Sequence, residues 1–147
     1  MSRNDRAAFV LVIAVALWLP GCGGRGVEQV QVTGRVTLDG QAMPGPGTLF
    51  FNPVEASGSA PLRPGSAEFG PDGKYTAGAF EKGDGLLPGT YRVAVQCWET
   101  VSTSEERNDS KSFLPQKFGD PEASGLTLVV EPGAGSMTQD FDLRTAE

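Results

Sequence analysis

Apolar and polar residues alternate one for one along several short runs of this chain, and glycine or proline closes nearly every run. From Gln29 to Leu38 the apolar set Val30, Val32, Val36 and Leu38 interleaves with Gln29, Gln31, Arg35 and Thr37, with Gly34 as the small member of the inner row. That period of two is the signature of a half-buried strand, because successive side chains leave a strand on opposite faces. Asp39-Gly40 then supplies a turn. The chain has 20 glycines and 11 prolines without a collagen period, which predicts many reversals.

The same reading places a second short strand at Thr48-Leu49-Phe50-Phe51, ended by Asn52-Pro53, and a loop from Glu55 to Pro64. Ala67-Glu68-Phe69 and Lys74-Tyr75-Thr76-Ala77, joined by Gly70-Pro71-Asp72-Gly73, read as a hairpin. Gly83 to Leu87 reads as a loop, and Pro88-Gly89 opens the strongest strand, Thr90 to Trp98. Glu99 to Ser112 is polar and mixed in charge, an exposed loop in this reading; Phe113 to Pro121 is irregular but carries two aromatics that pack down. Leu126–Val130 and Gln139–Leu143 close the series, with Glu131-Pro132-Gly133 as the turn between them.

About seven short strands without an amphipathic helix predict an all-β fold, an antiparallel β-sandwich. Its expected core is Val30, Val32, Val36, Leu38, Phe50, Phe69, Tyr75, Tyr91, Val93, Val95, Leu126, Leu128, Phe141 and Leu143. Each such side chain, once buried, contributes roughly 1.5–3 kcal/mol, enough for one domain of this size without a disulfide.

The first residues have a different logic. Met1–Arg6 is polar and carries Arg3 and Arg6, and the next thirteen residues, Ala7 to Leu19, are uncharged. A positive start before a short apolar core is the order of a secretory signal peptide. As a helix the run reaches about 20 Å, short of a hydrocarbon core of roughly 30 Å. It ends in Leu19-Pro20-Gly21-Cys22, which resembles the lipobox of bacterial lipoproteins. The small Gly21 gives a peptidase access to the bond before Cys22, whose thiol takes the diacylglycerol. Pro20 departs from the commoner small or β-branched residue. Domain boundaries follow: residues 1–21 signal peptide, 22–28 lipidated Cys22 and a glycine-rich flexible linker, 29–147 the β body.

A lipoprotein cysteine carries two or three acyl chains, palmitate among them. Each buried CH₂ contributes about 0.8 kcal/mol, so release from the membrane should be negligible. The expected address is the cell envelope, with the body facing the periplasm or the exterior. Gly23, in place of an acidic retention residue, favours the outer membrane.

Without its first 21 residues the chain is one unit more negative than the −6 of the whole, since Arg3, Arg6 and Asp5 leave together. An acidic body argues against nucleic acid as a partner. The absence of histidine excludes Ser-His-Asp and Cys-His catalysis and His-ligated zinc. With Cys22 acylated, Cys97 is the second of only two cysteines and has no intramolecular partner. The pattern Tyr91-x-Val93-x-Val95-x-Cys97 sets it on the inner face of a strand, as a buried inert thiol.

Few residues point to chemistry. Asp72, Glu81 and Asp84 flank glycine-rich turns and could supply oxygens to Ca²⁺, but Asp-Gly is the ordinary choice for a tight turn, and no metal or cofactor is expected. Asn108-Asp109-Ser110 fits a glycosylation sequon and carries little weight in a bacterial chain. Trp98, Phe113 and Phe118, beside the loop with Glu99, Glu105, Glu106, Arg107, Asp109 and Lys111, are the candidate ligand contacts.

Several stretches resemble carboxypeptidase regulatory-like domains. Val32-Thr33-Gly34-Arg35-Val36-Thr37-Leu38-Asp39-Gly40-Gln41-Ala42-Met43-Pro44-Gly45 is similar to their opening strand and turn. Asp72-Gly73-Lys74-Tyr75 and Leu87-Pro88-Gly89-Thr90-Tyr91-Arg92-Val93-Ala94-Val95 are similar to later segments. The stretches Pro115–Pro121, Ser124–Thr127 and Phe141–Leu143 resemble small planctomycete lipoproteins. The resemblance spans Gln29 to Leu143 and implies a transthyretin-like sandwich without catalysis. Hydroxyisourate hydrolases share that fold, but they depend on histidines and a terminal Tyr-Arg-Gly-Ser, and this chain ends Leu143-Arg144-Thr145-Ala146-Glu147. The expected function is therefore a lipid-anchored structural or protein-interaction module with an envelope protein as partner. A carbohydrate or small-ligand binder is the alternative, and an enzyme using carboxylates alone ranks last.

Overall fold

A computed structural model describes residues 28–99 and 111–146. Among these the protein is an all-β fold of eight strands and one short 3₁₀ turn, Gln116–Gly119. The strands are β1 (Gln31–Leu38), β2 (Gly47–Ala56), β3 (Gly65–Phe69), β4 (Lys74–Thr76), β5 (Gly89–Cys97), β6 (Thr127–Val130), β7 (Ser136–Thr138) and β8 (Phe141–Leu143). They run β6-β5-β2-β3-β4-β1-β7, with β8 also on β1, as one curled sheet around one core.

The pairing is mixed. The neighbours β1–β4, β2–β3, β2–β5, β3–β4 and β5–β6 are antiparallel, whereas β1 pairs with β7 and with β8 in parallel. The strand expected over Gln139–Leu143 is shorter, β8 alone, and a separate strand β7 precedes it, the two being parted by Gln139 and Asp140. Both keep one register against β1, since Thr33 faces Thr138 and Val36 faces Phe141. At the break, Gln139 N–H still donates to the Thr33 carbonyl at 2.8 Å, and the Arg35 N–H donates instead to the Asp140 carboxylate at 2.8 Å. A side chain there replaces one rung of the ladder.

The second strand continues through Asn52-Pro53 to Ala56. Beyond Phe51 it is paired with β5 but no longer with β3, and its register with β5 shifts between Pro53 and Glu55. A proline lacks a ladder donor and is accommodated at such one-sided, bulged places.

Leu49 and Phe51, not Phe50, enter the core from β2. Both are fully buried, and Phe50 is 37% exposed. The run carries apolar residues on both faces, so alternation alone leaves its phase open. Register fixes it: Leu49 faces Val95 and Phe51 faces Val93, on the inward row of β5. Phe51 then meets the Tyr75 and Tyr91 rings, with centroids 6.2 and 6.5 Å apart. Leu38 and Leu126 only pack against the core margin, whereas Leu86 and Leu87, read as loop, are fully buried. The Tyr91 phenol donates to the Leu87 carbonyl at 2.7 Å and so satisfies its own buried hydroxyl.

The registers also define two ends. Gly47, Phe69 and Cys97 meet at one. Ala56, Gly89 and Val130 meet at the other, and the Val30–Leu86 bridge brings the start of the body there. Nine residues of β5 separate the ends by about 27 Å at strand rise.

Candidate functional site

Trp98 continues the alternation of β5 by one residue. Cys97 is fully buried, so the next side chain must leave on the outer face, and Trp98 is 41% exposed. Its backbone bridges Ser112, and Glu99 N–H donates to the Lys111 carbonyl at 2.9 Å. The Glu99–Ser112 excursion therefore leaves and rejoins the body on an antiparallel stem, with Trp98 at its base. Glu105, Glu106, Arg107, Asp109 and the sequon at Asn108 lie outside the described residues.

Beside Trp98 an open groove of about 640 Å³ runs across the ends of β2 and β3, lined by Pro46, Gly47, Thr48, Glu68, Phe69, Gly70, Lys82 and Glu99. Gly47 forms its floor because nothing larger fits: a Cβ there would sit 2.5 Å from the Phe69 ring and 2.3 Å from the Gln96 carbonyl oxygen. Glu68 lies between the buried Ala67 and Phe69 and so points outward, where it pairs with Lys82. Both partners are largely exposed, so this ion pair adds little stability and leaves both groups within reach of a ligand. Glu68 and Lys82 carry no motif; the alternation Ala67-Glu68-Phe69 is the one signal in sequence that turns Glu68 outward. An indole face, an ammonium and carboxylates around an open apolar floor can hold a polar ligand or a partner's side chain.

The three candidate aromatics are not brought together as an exposed cluster. Phe118 is 3% exposed and belongs to the core, which leaves its ring no face for a ligand. Phe113 is half-buried against the core margin. A Cβ on Gly45 would meet the Phe113 ring at 3.3 Å and the Cys97 sulfur at 3.9 Å, so Phe113 and Gly45 form the cover over that thiol. The Cys97 S–H lies 3.4 and 3.3 Å from the Gly45 and Pro46 carbonyls, and burial pushes its pKa up.

The carboxylates at the turns have structural work. Asp84 accepts from the N–H groups of Ala79, Phe80 and Glu81 and from the Gln29 amide at 2.9 Å. Burial raises its pKa, but these donors outweigh that and hold the carboxyl below the ordinary aspartate value. Asp72 accepts from the Lys74 N–H at 3.2 Å within the β3–β4 turn, and Glu81 is exposed. Among the described residues no three His, Cys, Asp or Glu side chains converge as a metal-holding set.

Leu19, Gly21 and Cys22 lie outside the described residues. Among the described residues no helix is long and apolar enough to cross a membrane. Compared with protein-family models, curated proteins and solved structures, the chain matches none.

Proposed function

We propose that this chain is an envelope lipoprotein, cut between Gly21 and Cys22 and anchored by acyl chains on Cys22, whose β body serves as a non-catalytic module for binding another envelope protein. The single observation that carries the interaction reading is Trp98, a large aromatic exposed beside an open groove at the end of the body remote from its N-terminus. Tryptophans of this kind concentrate binding energy at protein interfaces. The engagement of Asp39, Asp72, Asp84 and Asp142 in backbone and hydroxyl hydrogen bonds supports a non-catalytic role. The order of charge, apolar run and Leu19-Pro20-Gly21-Cys22 supports the anchor, and the resemblance to carboxypeptidase regulatory-like domains supports a module of this type.

Crosslinking on intact cells with a photoreactive residue at Thr48 or Glu68 tests this. One dominant protein, captured by the wild-type chain and lost in Trp98→Ala and in Cys22→Ala, is the expected result. Capture that Trp98→Ala leaves unchanged would overturn it. A second reading rests on the same groove: an indole face flanked by Glu68 is also how a sugar ring is stacked and its hydroxyls are bound. Glycan binding by the wild-type chain that Trp98→Ala abolishes, with no protein captured, would favour a carbohydrate ligand.

A further inference from the structure

The residues that tie the body to its N-terminus lie against a segment that carries one exposed aromatic and is fastened to a neighbouring loop. Val30 N–H donates to Leu86 and Gln29 binds Asp84, so the chain enters the body against the Ala79–Leu86 segment. Phe80 in that segment is 52% exposed, and Leu62, in the loop between β2 and β3, is 57% exposed. Arg63 fastens the two loops: its Nε donates to the Ala79 carbonyl at 2.9 Å, and its guanidinium lies 4.0 Å over the Phe80 ring. We infer that this end of the body rests on a zwitterionic phospholipid bilayer, with Phe80 and Leu62 entering the interface and Arg63 at phosphate level.

This rests on the Cys22 anchor of the preceding reading. The six residue steps from Cys22 to Glu28 span at most about 20 Å even when fully extended, less than the length of the body along β5. The entry end therefore stays within reach of the surface, while Trp98 itself follows the opposite end of β5, with Lys82 reaching toward its groove from the Phe80 segment. Aromatic rings and arginines are suited to the headgroup region, where an apolar face and a charged tip are satisfied together. Glu28, Glu55, Glu81, Asp84 and Glu131 outnumber Arg63 at this end, since Lys82 reaches away to Glu68, so anionic lipid should weaken the contact rather than draw it in.

The test uses the full chain, expressed with its signal and reconstituted in phosphatidylcholine vesicles. The mass of the N-terminal peptide reads acylation of Cys22 first; a chain without it overturns the anchor and this inference together. Cleavage removes Trp18 and leaves Trp98 as the one native fluorophore of its kind, so Phe80→Trp and Leu62→Trp are each made together with Trp98→Phe. Brominated acyl chains should quench the indole emission of both the Phe80→Trp and the Leu62→Trp variant by about twofold and leave Trp98 of the wild type unquenched, and phosphatidylserine should reduce the quenching. An acylated chain in which both introduced indoles escape quenching, or in which Trp98 is quenched as strongly, keeps the anchor and overturns the docking.

Discussion

The Tyr75 phenol donates a 2.5 Å hydrogen bond to the carbonyl of Gln139, across the place where β1 carries Gly34. The Gln139 carbonyl occupies the space of a missing side chain: a Cβ on Gly34 would fall 1.8 Å from its oxygen and 3.0 Å from the Tyr75 ring. The glycine, the tyrosine and the break between β7 and β8 are thus one arrangement. Burial, followed by the charge of Asp140, drives the Tyr75 pKa upward, so the phenol stays a donor throughout the physiological range.

Removing the two parts should cost unequally. Tyr75→Phe loses one hydrogen bond and strands a carbonyl, about 1–2 kcal/mol. Gly34→Ala drives a methyl into backbone that cannot yield like a flexible side chain, and should cost about 3 kcal/mol or more. Urea unfolding followed by tyrosine and tryptophan fluorescence gives the order; a Gly34→Ala loss smaller than that of Tyr75→Phe would refute the account.

Asp84 organises its loop through N–H donors rather than through a cation. Asp84→Ala leaves the amides of Ala79, Phe80 and Glu81 without their acceptor and should cost about 1–3 kcal/mol. Thermal unfolding with and without millimolar Ca²⁺ separates the two roles. The wild-type midpoint is expected not to move with Ca²⁺, and a rise that Asp84→Ala abolishes would restore a metal site.

The C-terminal residues are tied down by carboxylates that acid removes. Asp39 accepts from the Thr145 hydroxyl and N–H, which hold its pKa below the ordinary 3.8. Asp142 accepts from the Gly40 N–H and the Thr37 hydroxyl, with the same result. A carboxyl with a depressed folded-state pKa stabilises the fold above its unfolded value, and that contribution is lost as pH falls through the folded value. Asp39→Asn/Asp142→Asn should therefore unfold earlier than wild type near pH 7 and converge with it at a pH below the lowered folded-state values of the two carboxyls. Denaturant midpoints that stay equally far apart at both pH values would exclude the linkage.

Strands with one apolar face were legible in sequence, and strands with two were not. Tyr91, Val93, Val95 and Cys97 alternate with polar or small residues, and all four are buried as that pattern requires. Leu49, Phe50 and Phe51 are all apolar, so only pairing with β5 decides which side faces inward. The parallel pairing of β1 with β7 and β8 joins residues more than a hundred positions apart, and no local turn signal encodes it. At the groove, Trp98 follows from alternation, whereas Lys82 reaches Glu68 through a loop conformation that Asp84 sets. The exposed Phe80 and Leu62 stand in loops without periodicity, and only their place beside the N-terminal entry gives them meaning.

Cys97 gives the last prediction, because its chemistry depends on its cover. The sulfur is fully buried beneath Gly45 and Phe113, and burial raises the thiol pKa, which lowers the fraction of reactive thiolate at neutral pH. In the acylated chain a maleimide should leave Cys97 unmodified under native conditions and label it fully once denaturant unfolds the body. Phe113→Ala removes part of the cover, so labelling should become faster without a matching loss of global stability. If Phe113→Ala changes the labelling rate only in proportion to its global stability, the thiol reacts through complete unfolding and the aromatic cover has no separate protective role. If the native wild-type chain labels as fast as the unfolded one, the thiol is accessible and the packing around Gly45 is not what protects it.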